Sequence, residues 1–122
     1  MKSIIIDRDK YIIAKTKKIV PLASVFISGR EEITAIIKEK FINKDIKKEI
    51  IKSQRGYRLI KFDIILPFNL VGFIAKISQS LAEENIPILV ISAYSTDYIL
   101  IKDKHLKKAI AKLKSLGFNI KK

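Results

Sequence analysis

Apolar residues along this chain follow two spacings, and the pattern is clearest in the second half. Ile60, Phe62, Ile64 and Leu66 fall at every second position through residues 58–66. That period predicts a strand with one buried face, ended by Pro67. Asn69 is then placed as a helix N-cap. From Leu70 onward the spacing changes, and Phe73, Ile74, Ile77 and Leu81 share one face of a helix near residues 70–84, stopped by Asn85 and Pro87. Residues 88–93 are a near-continuous apolar strand, Ser95 and Thr96 a turn, and residues 98–101 a further strand. Asp103 is placed to cap the next helix, near residues 104–116, with Leu106, Ala109, Ile110, Leu113 and Leu116 as its stripe and Gly117 as its stop. Residues 118–120 complete the series as a short strand. The order strand, helix, strand, strand, helix, strand predicts an α+β, ferredoxin-like βαββαβ half with an antiparallel sheet and both helices on one face.

The first half reads differently. Residues 3–6 and 11–15 predict a hairpin around Asp7-Arg8-Asp9-Lys10. Residues 23–28 and 33–38 predict two strands around Gly29-Arg30-Glu31-Glu32. One short amphipathic helix is expected near residues 44–52. No strict repeat is visible by eye, and this half reads as an abbreviated, strand-rich relative of the other. The expected division is residues 1–57 and residues 58–122.

Composition narrows the class. Of 122 residues, 48% are hydrophobic and 30% charged, with only 4 Gly and 3 Pro, which excludes a disordered tail, a low-complexity linker and a collagen-like chain. A chain of this size supports one compact unit, or two small halves sharing a core. The absence of cysteine removes disulfides, zinc–thiolate sites, iron–sulfur clusters and thiol nucleophiles together. The apolar run at the N-terminus is three residues long before it meets Asp7, too short for a secretory signal, and no stretch approaches the roughly 20 apolar residues of a membrane span. A soluble cytoplasmic protein is expected.

The net charge is 25 − 12 = +13. Residues 1–60 carry 15 basic and 7 acidic side chains and residues 61–122 carry 10 and 5, so the excess is spread along the chain. It is mostly Lys, with Arg only at positions 8, 30, 55 and 58. Arg forks are the commoner readers of phosphates and bases, so a solvated surface is favoured over a nucleic-acid interface.

Catalytic chemistry is hard to assemble. His105 is the only histidine, among Lys102, Lys104, Lys107 and Lys108, with no orienting partner suggested nearby. Glu31-Glu32 and Glu83-Glu84 are sequence neighbours, which do not face one another on a helix or strand. No phosphate-binding loop of a known spacing occurs, and no cofactor or metal is implied. Two places remain. At the junction 66–72 a strand feeds directly into a helix start, whose free N–H groups favour a carboxylate, while Gly72 permits either close ligand approach or tight helix packing. In the segment 92–98, Asp97 is either a turn residue bonding its own backbone or an acceptor for a ligand ammonium.

Phe68-Asn69-Leu70-Val71-Gly72-Phe73-Ile74-Ala75, then Leu81-Ala82-Glu83, then residues 91–102 from Ile91-Ser92-Ala93-Tyr94-Ser95-Thr96-Asp97 to Lys102 resemble the ACT-domain family. The resemblance is closest to its branch of tandem ACT-like halves that includes the CASTOR-type arginine sensors. Ala93 replaces the usual Thr. Residues 26–37 resemble that branch's first-half segment more weakly, because the Arg-Thr pair and the Ser usual there are altered. The resemblance spans about residues 11–120. It implies tandem ACT-like halves and a non-catalytic regulatory module, often amino-acid-binding, with ligands held between paired domains where the first strand meets the first helix. Carried over residue by residue, it implies ligand contacts from Asn69, Val71, Gly72 and Phe73, and from Ser92, Thr96 and Asp97. It also implies a homodimer, here expected around the second halves.

Two other readings compete. Nucleic-acid-binding domains share the strand and helix order, but Phe62 is in phase with the core and the Lys/Arg-Gly-aromatic motif is absent from residues 98–102. A structural dimer or assembly subunit without a ligand is the other.

Overall fold

The structure, a computed structural model, describes residues 2–64 and 72–121. Its strands and helices in chain order are β1 (Ser3–Thr16), β2 (Val25–Ser28), β3 (Ile33–Lys38), α1 (Lys44–Glu49), β4 (Ile50–Phe62), α2 (Phe73–Ala82), β5 (Leu89–Ser92), β6 (Asp97–Lys102), α3 (Leu106–Ser115) and β7 (Asn119–Ile120). Three-residue 3-10 turns, Glu39–Phe41 and Asp103–His105, follow β3 and β6. The chain divides into two compact units. Asp9–Tyr57 form an inserted unit, and Met1–Arg8 with Arg58–Lys122 form a split unit. The first eight residues therefore go with the C-terminal part of the chain, a placement that local sequence does not announce.

In the split unit the strand order is β5-β6-β4-β1, with β7 pairing β1. β5 and β6 are antiparallel, with Leu89 opposite Leu100 and Ser92 opposite Asp97. β7 is the exception to the antiparallel expectation: Ser3 and Ile4 pair in parallel with Asn119 and Ile120. Ile60 and Phe62 of β4, Ile99 and Ile101 of β6 and Ile4 of β1 share one buried cluster with Ile77 and Leu81 of α2 and Ala109 and Leu113 of α3. The alternation within each strand puts these residues on one face, so both helices cover the same face of the sheet, as the apolar spacing predicts. Phe62 sits edge-on to Phe73 and Phe118, with ring centroids 5.4 and 5.5 Å away.

The inserted unit has the strand order β2-β3-β1-β4. β1 and β3 are antiparallel from Tyr11 opposite Lys38 to Thr16 opposite Ile33. Ile12, Ala14, Ala35 and Ile37 bury one face against Val20 and against Ile46 of α1. The connection from β1 to β2, residues 17–24, contains no helix. It covers the sheet with Val20 and Ala23, where the split unit uses the ten-residue α2.

Several local expectations are corrected. Residues 3–16 form one unbroken strand, not a hairpin, because the polar residues Asp7–Lys10 find tertiary partners while extended. Lys38 and Lys40 hold the Asp9 carboxylate at 3.1 and 3.3 Å, and Arg58 donates to the Asp7 carbonyl at 3.1 Å. The helix expected over 44–52 ends at Glu49, and residues 50–57 extend β4 instead. The β-branched residues Ile50 and Ile51 suit a strand as well as a helix, so periodicity alone could not separate the two. Asp103 opens the 3-10 turn that precedes α3, whose N-cap position is His105, and its carboxylate accepts from Arg58 at 3.0 Å. Gly117 follows α3 as expected, at φ 97°. The end of the strand at 65–66 and the Asn69 cap lie outside the described residues.

The structure also exposes an internal repeat at an offset of 64 residues, from residues 25–42 to residues 89–106. β3 and β6 have the same sequence of buried and half-buried positions. Their hairpins close with the same bond, Gly29 N–H to the Glu32 carbonyl at 2.9 Å and Ala93 N–H to the Thr96 carbonyl at 2.8 Å. Ile27, Ser28, Ile37, Lys38 and Lys40 recur unchanged as Ile91, Ser92, Ile101, Lys102 and Lys104. The elements before β2 and β5 differ in length, which hides the repeat from a scan of the whole chain.

Candidate functional site

The β5–β6 hairpin gathers three of the candidate residues. Ser92 is directly opposite Asp97, and the Ala93–Thr96 bond closes the turn between them. Ser92 is exposed, while Thr96 and Asp97 are half-buried. Tyr94 stands at the tip, 82% exposed. Asp97 makes no ion pair among the described residues. Its charge is thus left for solvent or a ligand, whereas Asp9 and Asp63 are each held by lysines.

The other candidates belong to the start of α2. Gly72 occupies the N-cap position at φ 91° and ψ 0°, with no side-chain cap bond. A Cβ there would meet nothing within 4 Å among the described residues, and the glycine serves the left-handed backbone. Ala75 at the third helical position and Phe73 and Ile74 before it leave the first turn without an acid, and their N–H groups have no intrahelical acceptor. The Phe73 ring is part of the core, 5.4 Å from Phe62 and 6.4 Å from Phe118, so its backbone is what it offers outside. Asn69 and Val71 lie outside the described residues.

Sequence reading did not single out a cavity in the inserted unit. It has a volume of about 180 Å3, with Ile12, Ile42 and Ile50 as its apolar floor and Lys47, Ser53 and Arg55 around it. Its residues come from β1, α1, β4 and the turn before α1, so no local motif marks it. No group of three or more His, Cys, Asp or Glu comes together as a metal site among the described residues. No described helix is long and apolar enough to cross a membrane.

An α+β sheet with two helices on one face places the split unit in the ferredoxin-like class. The chain belongs to the ACT domain family, whose model matches residues 52–115. ACT domains are regulatory, non-catalytic modules. A protein of Agrobacterium tumefaciens has a similar fold, at 20% identity and TM-score 0.82, covering 98% of this chain and 92% of that one. A Vibrio cholerae protein described as a possible transport protein matches at 19% identity and TM-score 0.77, over 93% and 88%. The regulatory subunit of aspartate kinase from Thermus thermophilus matches at 12% identity and TM-score 0.68, over 92% and 94%. At these identities the likeness is one of fold. No curated protein matches the chain.

Proposed function

We propose that this protein is a non-catalytic regulatory module that binds an amino acid or similar zwitterion where the start of α2 and the β5–β6 hairpin offer complementary charge. The observation that carries the reading is the half-buried Asp97 carboxylate, which has no ion-pair partner among the described residues of a chain with 25 basic side chains. The acids Asp9, Glu32, Glu49, Asp63 and Glu83 each lie within 4 Å of a lysine nitrogen. An unclaimed one beside an uncharged hairpin suits a ligand ammonium. The left-handed backbone of Gly72 and the first turn of α2, which carries no acid, suit the ligand's carboxylate. Asn69, Val71, Gly72 and Phe73 supply that side, and Ser92, Thr96 and Asp97 the other.

The same reading makes the protein cytoplasmic and homodimeric, with two ACT-like halves of the arginine-sensor type and the ligand at an interface between second halves. β5 supports such pairing, because it ends the strand order of the split unit with Leu89 and Val90 exposed. Calorimetric titration with the common amino acids tests the site. Wild type is expected to bind one of them, and Asp97→Asn to bind it about tenfold or more weakly, since a hydrogen bond to a charged group contributes roughly 1.5–3 kcal/mol. A simple carboxylate should bind both proteins alike. Equal amino-acid affinity in the two proteins removes Asp97 from the site, and no binding in a broad screen favours an assembly role without ligand.

A further inference from the structure

The cavity beside α1 follows from a difference between the two repeats. α1 and α3 each come after a β-hairpin and a 3-10 turn, but α3 runs for ten residues and α1 for six. The missing four residues amount to about 6 Å of helix. α3 buries Ala109 and Leu113, whereas α1 buries Ile46. Where α1 stops, the sheet of the inserted unit is left with an open apolar hollow. Ile12 of β1 is 3% exposed there, and the half-buried Ile42 and Ile50 flank it.

Charge is sorted around α1. Asp45 and Glu49 are four positions apart and share one face, where they line a different cavity with Lys18. Lys47 is two positions from each, about 200° round the helix, and lines the hollow over Ile12. Arg55 of β4 adds a second positive charge and Ser53 a hydroxyl. No acid stands among the described residues that line it. Neither the Lys47 ammonium nor the Ser53 hydroxyl has a side-chain partner among the described residues.

We propose that this hollow is a second ligand site, which takes a monocarboxylate with a short hydrocarbon chain. Three isoleucines receive the chain, and Lys47 and Arg55 hold the carboxylate at the rim, with Ser53 donating to it. A volume of about 180 Å3 suits a chain of a few carbons, below the roughly 300–1,000 Å3 of pockets for larger ligands. The site selects against a free amino acid, because an ammonium group would meet two cations and no acid. It is therefore chemically opposite to the zwitterion site at Asp97 and does not rest on it.

Titration of the full chain with 4-methylpentanoate, followed by the isoleucine methyl signals in NMR, tests the proposal. Saturable shifts are expected at Ile12, Ile42 and Ile50. Affinity should rise by about two- to fourfold per methylene from acetate to 4-methylpentanoate, as burial of the chain requires. Leucine and 4-methylpentan-1-ol should each bind here at least about tenfold more weakly, as should 4-methylpentanoate to the double variant Lys47→Gln/Arg55→Gln. Ser53→Phe, which sets a ring over the hollow, should abolish the shifts while far-ultraviolet circular dichroism stays unchanged; if it misfolds, the double variant carries the test. Equal affinity for the alcohol, or for the double variant, overturns the role of the two cations. Shifts at Ile74 and Ile91 in place of Ile12, Ile42 and Ile50 give the anion to the start of α2 and the β5–β6 hairpin and overturn this site. No saturable shift with 4-methylpentanoate refutes it, whatever leucine does at Asp97.

Discussion

Asp9 and Asp97 show how differently two half-buried acids can be used on one basic surface. Hydrogen bonding to Lys38, and less to Lys40, holds the Asp9 carboxyl below its ordinary value of 3.8. Asp63 is lowered in the same way by Lys121, whose Nζ lies 2.7 Å away. A depressed carboxyl stabilises the fold above its unfolded pKa, and that contribution disappears as pH falls through the folded value. Asp9→Asn should therefore reduce stability at neutral pH. Its difference from wild type should close only as pH falls below 3.8. Denaturant unfolding of both proteins from pH 7 to pH 2 checks this, and a gap that stays constant across the range removes the ion pair as its cause. Asp97 has no lysine, so the same substitution there should be read in ligand binding and not in stability.

At the scale of elements, ends matter as much as stripes. α3 stops where Gly117 turns the chain at φ 97°, and Phe118 then returns to the core. A Cβ at position 117 would stand 3.6 Å from the Lys2 side chain, an ordinary contact, so space is not what demands glycine. The backbone conformation does. Gly117→Ala should lower unfolding free energy by roughly 1–2 kcal/mol, measured by chemical denaturation. A change within error would mean that the chain leaves α3 by another route. At the start of α2, Gly72 has the same need for positive φ, and there the cost falls on the candidate site as well.

The whole molecule is built on a repeated β-hairpin and 3-10 turn, and the repeat has an energetic consequence. Ile37 and Ile101 hold corresponding places 64 residues apart, and each is completely buried in its own cluster. Truncation to Ala removes similar apolar area from each and leaves a similar cavity. Ile37→Ala and Ile101→Ala should each cost about 2–5 kcal/mol. Urea titrations check the pair. A much smaller cost at Ile37 would show that residues 17–24 collapse into the gap more readily than α2 does.

The periodic runs of the second half, taken by themselves, determined α2 and α3 with their buried stripes, and β5, β6 and the short β7 as strands. These expectations hold because burial acts on every second or every third-to-fourth side chain, a pattern written locally. That Ser92, Thr96 and Asp97 share one strand–turn–strand segment was legible for the same reason, as was the family, through segments that are contiguous in the chain; the ligand role proposed for them rests on the resemblance. Only the tertiary structure decided that Asp7–Lys10 extend a strand, because their partners, Lys38, Lys40 and Arg58, are remote in sequence. It alone decided that residues 3–8 belong with the split unit, and that Asp103 answers Arg58. It also decided that Phe73 faces Phe62 and Phe118. Polar and turn-forming residues accept either a local bond or a distant one. The choice between them is made by the elements that pack alongside, which no window of neighbouring residues contains.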